Sequence, residues 1–500
     1  MARVWDAIRA PGAKGEIAEA APTQNVSVTM NPPGEKPENM CAVSPGDSLP
    51  DNITGFVPNS KARLLDRWLD VVVRFAGSEP VFLSLMSGLL IWAFLGIRFG
   101  HSVQWAVIIS NVQAIVSYIF DSFLMRQQLN DYDRDIRAAA MLRSRIHSQK
   151  RMLREIVASN RDRLLTENEL NQLSQTMGDA KLPTENWLGR VSTFLSAVLG
   201  HIVTVGLFWV CIFVWIGFGH SLGWSDQWQL YINSATSALM LLIFAFLANI
   251  QERHGAHIEK CLDILFEMDS AVESQFRTIT GDITPNPVVT VPTPNVGRLQ
   301  RAIFYYADVV GTLVGIAILI TVMAAWLAVG PVMSFNSNWW LLIGTYAGLI
   351  GMNDGFVLDN VQSKLNSYVE EAFNQVYYDD MGLFEDIHTP EQAEKQAQKT
   401  TISQRLSARM SRICSHPATI VIGFLTIVGL LIGATAMKWT MTGQLLCNVP
   451  PSIIESFFMM VLITSHNMSD DKRRADLQAM YLHRLQLLCW VKELKILGAE

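Results

Sequence analysis

Charge is scarce in this sequence. Asp, Glu, Lys and Arg make up 17% of its 500 residues, the net charge is only −6, and no extended basic tract occurs. Without such a tract there is no electrostatic footprint for nucleic acid, which drops out as a partner. The six cysteines (Cys41, Cys211, Cys261, Cys414, Cys447 and Cys489) show no C-x-x-C spacing. Several fall in apolar stretches, where a thiol acts as a small hydrophobe, so no disulfide framework is implied. A P-loop, H-E-x-x-H, G-x-S-x-G and a dinucleotide fingerprint are all missing. That removes ATP-driven pumping and the common enzymatic constellations, and it calls for no cofactor.

What the chain does have is apolar length. Half of its residues are hydrophobic. Stretches long enough to span a bilayer occur near 79–98, 104–125, 202–219, 228–249, 313–330, 339–358, 418–437 and 445–464. They come in pairs, joined by short linkers such as Phe99-Gly100-His101-Ser102 and separated by long polar segments. Backbone groups in lipid must be satisfied internally, so each pair predicts a helical hairpin. The fold expected is all-α, a polytopic membrane protein with eight transmembrane helices and cytosolic helical extensions. Basic residues avoid the hairpin tips, which carry essentially Arg98 and Lys438, and collect in the connectors, for example at Arg134, Arg143, Lys260 and Arg473. This bias predicts that both termini and all connectors are cytosolic. Trp105, Trp228 and Trp339 open the second helix of three hairpins, where an outer interfacial belt would hold them.

The hairpins read as copies. Without a gap, Arg67 aligns with Arg190, Arg301 and Arg405, and Gly77 with Gly200, Gly311 and Ser415. Trp92 aligns with Trp215, Trp326 and Leu430, and Gly96 with Gly219, Gly330 and Ala434. The same shifts put Trp105 on Trp228, Trp339 and Gly443, and Gln128 on Gln251, Gln362 and His466. Every copy runs in the same sense, so the four repeats are parallel and should surround an axis along the membrane normal. The organisation expected is a disordered cytosolic tail over 1–60, with hairpin repeats over 61–165, 184–280, 296–385 and 402–500. A Pro-rich linker occupies 281–295 and a polar linker 386–401. The fourth repeat departs from the pattern, because Pro450-Pro451 should break or kink its second helix one turn before Glu455.

Ionisable residues inside a span are costly, by about 3 kcal/mol on insertion scales. Three occur in the second helices: Asp121, Asp354 and Glu455. In the aligned columns they fall on one helical face, so three hairpins aim a carboxylate the same way. That face also carries Ser110, Gln113, Asn233, Gly344, Gly351 and Asn448. Such oxygens can replace the water shell of a divalent cation, and Met240, Met352 and Met459 add soft thioethers. The set suits ferrous iron, manganese or zinc without strong discrimination. The bland alternative is that the neutral members only hydrogen-bond helices together. His416 and His466, at similar depth, are candidates for an exit site. His254 and His257, with Glu252 and Cys261, have a spacing that could chelate, although helix ends often carry such residues solvated.

The segments Trp224-Ser225-Asp226-Gln227-Trp228-Gln229-Leu230-Tyr231-Ile232-Asn233 and Ala248-Asn249-Ile250-Gln251-Glu252-Arg253-His254 resemble the signature of the low-affinity iron permease family. Phe120-Asp121-Ser122-Phe123-Leu124-Met125-Arg126-Gln127-Gln128 and Gly351-Met352-Asn353-Asp354-Gly355-Phe356 are similar to segments of its longer fungal members. The resemblance spans about residues 60–495. It implies low-affinity uptake of ferrous iron across the plasma membrane, with zinc, copper, manganese or cobalt as further cargo. The expected partners are the metal ions and the bilayer, and a homo-oligomer is left open. The rival readings are a membrane scaffold or metal sensor without flux, and a monovalent cation channel; flux of metal into liposomes, with potassium competition, separates them.

Overall fold

The computed structural model describes residues 15–24, 54–58, 61, 63–100, 102–159, 181–386 and 402–497. Apart from Asp386, the polar linker expected at 386–401 lies outside the described residues, as does most of the tail expected over 1–60. What is described is nearly all helical, and one order of helices occurs four times. A 13-residue amphipathic helix comes first: α1 (Leu64–Ala76), α4 (Trp187–Leu199), α7 (Arg298–Val310) and α10 (Ile402–Cys414). An apolar helix follows: α2 (Glu79–Phe99), α5 (Ile202–Gly219), α8 (Leu313–Val329) and α11 (Pro417–Ala436). A long helix closes each set: α3 (Val103–Ser159), α6 (Asp226–Thr280), α9 (Ser337–Asp386) and, after a short α12 (Met441–Leu446), α13 (Val449–Leu497). Among the described residues, seven helices are long and apolar enough to cross a membrane. An eighth is reached by joining α7 and α8, which meet at a 64° bend.

The 49 to 57 residues of the long helices give lengths of about 75–85 Å, against a bilayer core of about 30 Å. More than half of each therefore stands beyond the apolar band, as a polar bundle. The four pack as a closed ring in the order α3, α6, α13, α9. The apolar helices lie outside this ring: α2 has no buried residue, and Leu90, Phe94, Phe213, Ile320 and Phe424 all face outward. Away from the hairpin tips they cover neighbouring long helices. Phe82 of α2 meets Phe246 of α6, and Trp209 of α5 meets Phe457 of α13.

The elbows between the short and apolar helices explain the ring order. Where a helix stops inside apolar surroundings, its last carbonyls need donors. The Gly77 carbonyl accepts from Asn249 Nδ2 of α6 at 3.1 Å, and the Gly200 carbonyl accepts from Thr464 Oγ1 of α13. The Ser415 carbonyl accepts from Asn360 Nδ2 of α9 at 2.5 Å, and the Gly311 carbonyl accepts from Arg126 Nη1 of α3 at 3.3 Å. Each elbow thus docks on the next long helix around the ring. Glycine permits the approach, since a Cβ on Gly77 would stand 2.7 Å from the Ala248 carbonyl oxygen.

Three expectations change in detail. Trp105, Trp228 and Trp339 stack on Trp92, Trp215 and Trp326, with centroids 4.3, 3.9 and 4.2 Å apart. The indole N–H groups of Trp92 and Trp105 donate to each other's carbonyls, as do those of Trp326 and Trp339. These residues clasp the hairpin tips rather than only marking an interface. Pro450 and Pro451 do not kink the fourth long helix. The break lies before them, at Cys447-Asn448, and the prolines occupy the first turn, where a missing N–H costs nothing. Finally, two stretches of the segment expected to be a loose tail are docked. Ile17–Glu19 (β1) pairs antiparallel with Val289–Val291 (β2), and Phe56 is buried against Phe266.

If the elbows set the ring, Gly77→Val and Asn249→Leu should each lower the unfolding free energy in detergent, Asn249→Leu by about 1–2 kcal/mol. Gly88→Val, with nothing within 4 Å of its Cβ position, should leave it unchanged.

Candidate functional site

Along the ring axis the polar residues form layers. Nearest the hairpin tips, Ser110, Gln113, Asn233, Gly344, Asn448 and Ser452 border a cavity of about 20 Å³ to which all four sets contribute. Asn233 Nδ2 donates to Ser110 Oγ at 2.9 Å, and Asn448 Nδ2 to Thr345 Oγ1 at 3.4 Å. The two asparagines are therefore brought to one cavity, each held by a hydroxyl.

The carboxylates follow. Asp121, Asp354 and Glu455 are at most 1% exposed. Asp121 lies within electrostatic reach of both Glu455 and Asp354, and Glu455 within reach of Asp354. The Tyr306 hydroxyl donates to Asp354 Oδ1 at 2.5 Å. The other oxygens, both of Asp121, both of Glu455 and Oδ2 of Asp354, are buried without a hydrogen-bond partner. Among the described residues no Lys, Arg or His pairs with any of the three acids. Leaving a buried carboxylate without a countercharge costs several kcal/mol, so the trio requires a proton or a cation. Glycine makes the room at one point: a Cβ on Gly351 would fall 2.6 Å from Glu455 Oε1, whereas Cβ atoms on Gly344 and Gly348 would only touch Asn448 Oδ1, at 3.4 and 3.5 Å. The acids do not form one closed shell. Among the described residues, no three His, Cys, Asp or Glu side chains gather closely enough to hold a metal ion.

A third layer follows two helical turns on from Asp121. Gln128, Gln251, Gln362 and His466, aligned in one sequence column, border a chamber of about 80 Å³ with Asp131, Arg134, Asp135, Asp470 and Arg473. Gln128 Nε2 donates to Gln362 Oε1 at 3.1 Å.

The histidines divide differently from the sequence reading. His416 is exposed and caps α11, its Nδ1 accepting from Ala418 N, as His201 caps α5 by accepting from Val203 N. His466 meets His254 instead, ring stacked on ring, with Nε2 and Nδ1 3.2 Å apart. Asp470 lies 3.2 Å from His254 Nδ1, and Glu185 3.6 Å from its Nε2. His257 stays with Cys261 at 3.6 Å and does not join that cluster. Burial works to raise the Glu185 carboxyl, but the hydrogen bond and charge of Arg474 outweigh it and hold the group below its ordinary range.

Sequence reasoning missed Tyr306, whose amphipathic helix gave no sign that it reaches Asp354. It also missed the Tyr118–Tyr346 hydroxyl pair at 3.2 Å beside the acids. Asp359, fully buried with neither oxygen hydrogen-bonded, escaped because it lies one residue past the stretch read as a span.

The sequence profile of the family described as low affinity iron permease matches residues 188–284 and 403–488. The chain is 33% identical over 498 residues to the low-affinity iron/zinc ion transport protein of Schizosaccharomyces pombe, covering 97% of this chain and 85% of that protein. It is 36% identical over 470 residues to the low-affinity Fe(2+) transport protein of Saccharomyces cerevisiae, covering 88% and 85%. No solved structure matches the chain significantly.

Because mutual repulsion among the acids opposes folding, Glu455→Gln and Asp121→Asn should raise the unfolding temperature of metal-free protein. A fall in both variants would show that these carboxylates are satisfied in the native state.

Proposed function

The chain belongs to the low affinity iron permease family, and on that footing we propose that it passes divalent transition-metal ions, ferrous iron first among them, through the membrane along the axis of the long helices. It is a multi-pass membrane protein and a transporter rather than an enzyme. The observation that carries the proposed route is the trio of buried acids from three long helices, with unpartnered oxygens and no cationic neighbour. Oxygen donors of this kind suit hard and borderline divalent cations, so zinc, copper, manganese and cobalt are further cargo of the same route.

The layers suggest how the ion moves. Amide and hydroxyl oxygens around Asn233 and Asn448 take over part of its hydration shell, and the carboxylates then supply the countercharge. Since no closed shell of three charged ligands surrounds one point, the ion is handed from oxygen to oxygen, which keeps affinity low and release fast. The glutamine layer with His466 receives it next. We read the four helix sets as parallel copies of one hairpin, a reading supported by their common order and by four elbow contacts made at equivalent positions. With the polar bundle and both termini in the cytosol of a plasma-membrane protein, the direction is inward, downhill or coupled to another ion.

The test is uptake of labelled ferrous iron by cells expressing Glu455→Gln or Asp354→Asn at unchanged surface abundance. Each should lower uptake about tenfold or more. Normal uptake by both would remove these acids from the route.

A further inference from the structure

The route cannot continue straight along the axis. Past the glutamine layer, Leu142, Leu262, Leu265, Val376 and Leu477 from all four long helices are fully buried in one continuous core. Behind them, three arginines and three carboxylates are buried together. Arg145 lies 3.2 Å from Glu273, Arg277 2.9 Å from Glu273, and Arg484 pairs with Asp269 at 2.7 Å and with Asp380. This net-neutral plug offers a hydrated cation neither space nor uncompensated charge.

Two cavities flank the chamber beside the glutamine layer. One, of about 650 Å³ between α4, α6 and α13, is lined by Glu185, Thr193, Ala197 and His257 and shares no lining residue with the chamber. His254, gripped by Glu185, Thr193, Asp470 and His466, stands between them. The other, of about 860 Å³, opens between α3 and α6 beneath α1 and shares Asp131, Arg134 and Gly255 with the chamber. Gly255 is the thin point of that wall. A Cβ there would sit 3.6 Å from Arg134 Nη1 and 3.7 Å from Asp131 Oδ1, so the bare backbone leaves the gap open without being sterically required. Arg134 bridges Asp131 at 2.8 Å and Asp135 at 3.0 Å. It can stay on Asp135 while Asp131 takes a passing cation.

We infer that the cargo leaves the axis sideways, through a portal between α3 and α6 at Gly255, with Asp131 as the carboxylate that passes it into the side cavity. The inference rests on the axial route proposed above. Manganese flux across inside-out membrane vesicles holding the full-length protein tests it. The flux of Gly255→Cys, taken as its own reference, is measured before and after a bulky, membrane-impermeant cationic thiol reagent is added. Flux should then fall about tenfold or more, and return on reduction. Wild type and Ala197→Cys, which lines the other cavity, should be labelled at their accessible thiols without loss of flux. Labelling of Gly255→Cys confirmed by mass, with flux unchanged, would overturn the portal, as would inhibition at Ala197→Cys instead. Asp131→Asn gives an independent reading that needs no cysteine: it should reduce flux about tenfold, and normal flux would remove Asp131 from the exit. Glu455→Gln in the same vesicles keeps the two proposals apart, since normal flux there would sink the axial route itself rather than its exit.

Discussion

The architecture depends on one contact made four times: a carbonyl at a helix elbow accepting a hydrogen bond from a polar side chain on the next long helix. Ending a helix inside an apolar layer leaves carbonyls that water cannot reach, and each would cost a few kcal/mol unsatisfied. Arg126, Asn249, Asn360 and Thr464 meet that need, and because each belongs to a neighbouring set, the ring closes in the order α3, α6, α13, α9. The apolar helices are thereby carried outward to face lipid. The long helices turn their polar stripe to the axis, which is why acids far apart in the chain end up within electrostatic reach of each other.

Charge is handled in two opposite ways along the same long helices. In the polar bundle every buried carboxylate of the plug meets an arginine, as Asp269, Glu273 and Asp380 do. Such pairs add little net stability over apolar packing, but losing one partner is expensive, so they fix the register of the bundle. Within the apolar band the rule is reversed, and among the described residues Asp121, Asp354 and Glu455 have no cationic side chain paired with them. A net-neutral, ion-paired plug and an acidic centre without such pairing thus lie on the same four long helices.

The fourth set differs from the other three at its hairpin tip. It lacks the stacked tryptophans, with Leu430 and Gly443 at those positions, and the Cys447 thiol donates to the Leu430 carbonyl instead. Its long helix starts late, after the break at Cys447-Asn448, and Asn448 lines the cavity nearest the hairpin tips. The same set supplies Glu455 and His466 to the two layers below. The set without the stacked tryptophans thus contributes a polar side chain to each of the three layers.

The apolar spans, the three acids, the asparagines of the outer cavity and the Gln128, Gln251, Gln362 and His466 column were legible in the sequence. Hydropathy and helical period are local properties, and an ionisable residue in an apolar stretch stands out whatever surrounds it. The pairing of His466 with His254 rather than His416, the reach of Tyr306 to Asp354, the Trp clasps and the docking of Ile17 and Phe56 were not. Each of these joins side chains whose proximity depends on which helix lies beside which. Sequence by itself determined what each helix presents, because composition and period decide what can sit in lipid. Only the tertiary structure decided the ring order, and with it every contact between sets, because that order follows from where four elbow carbonyls find their donors.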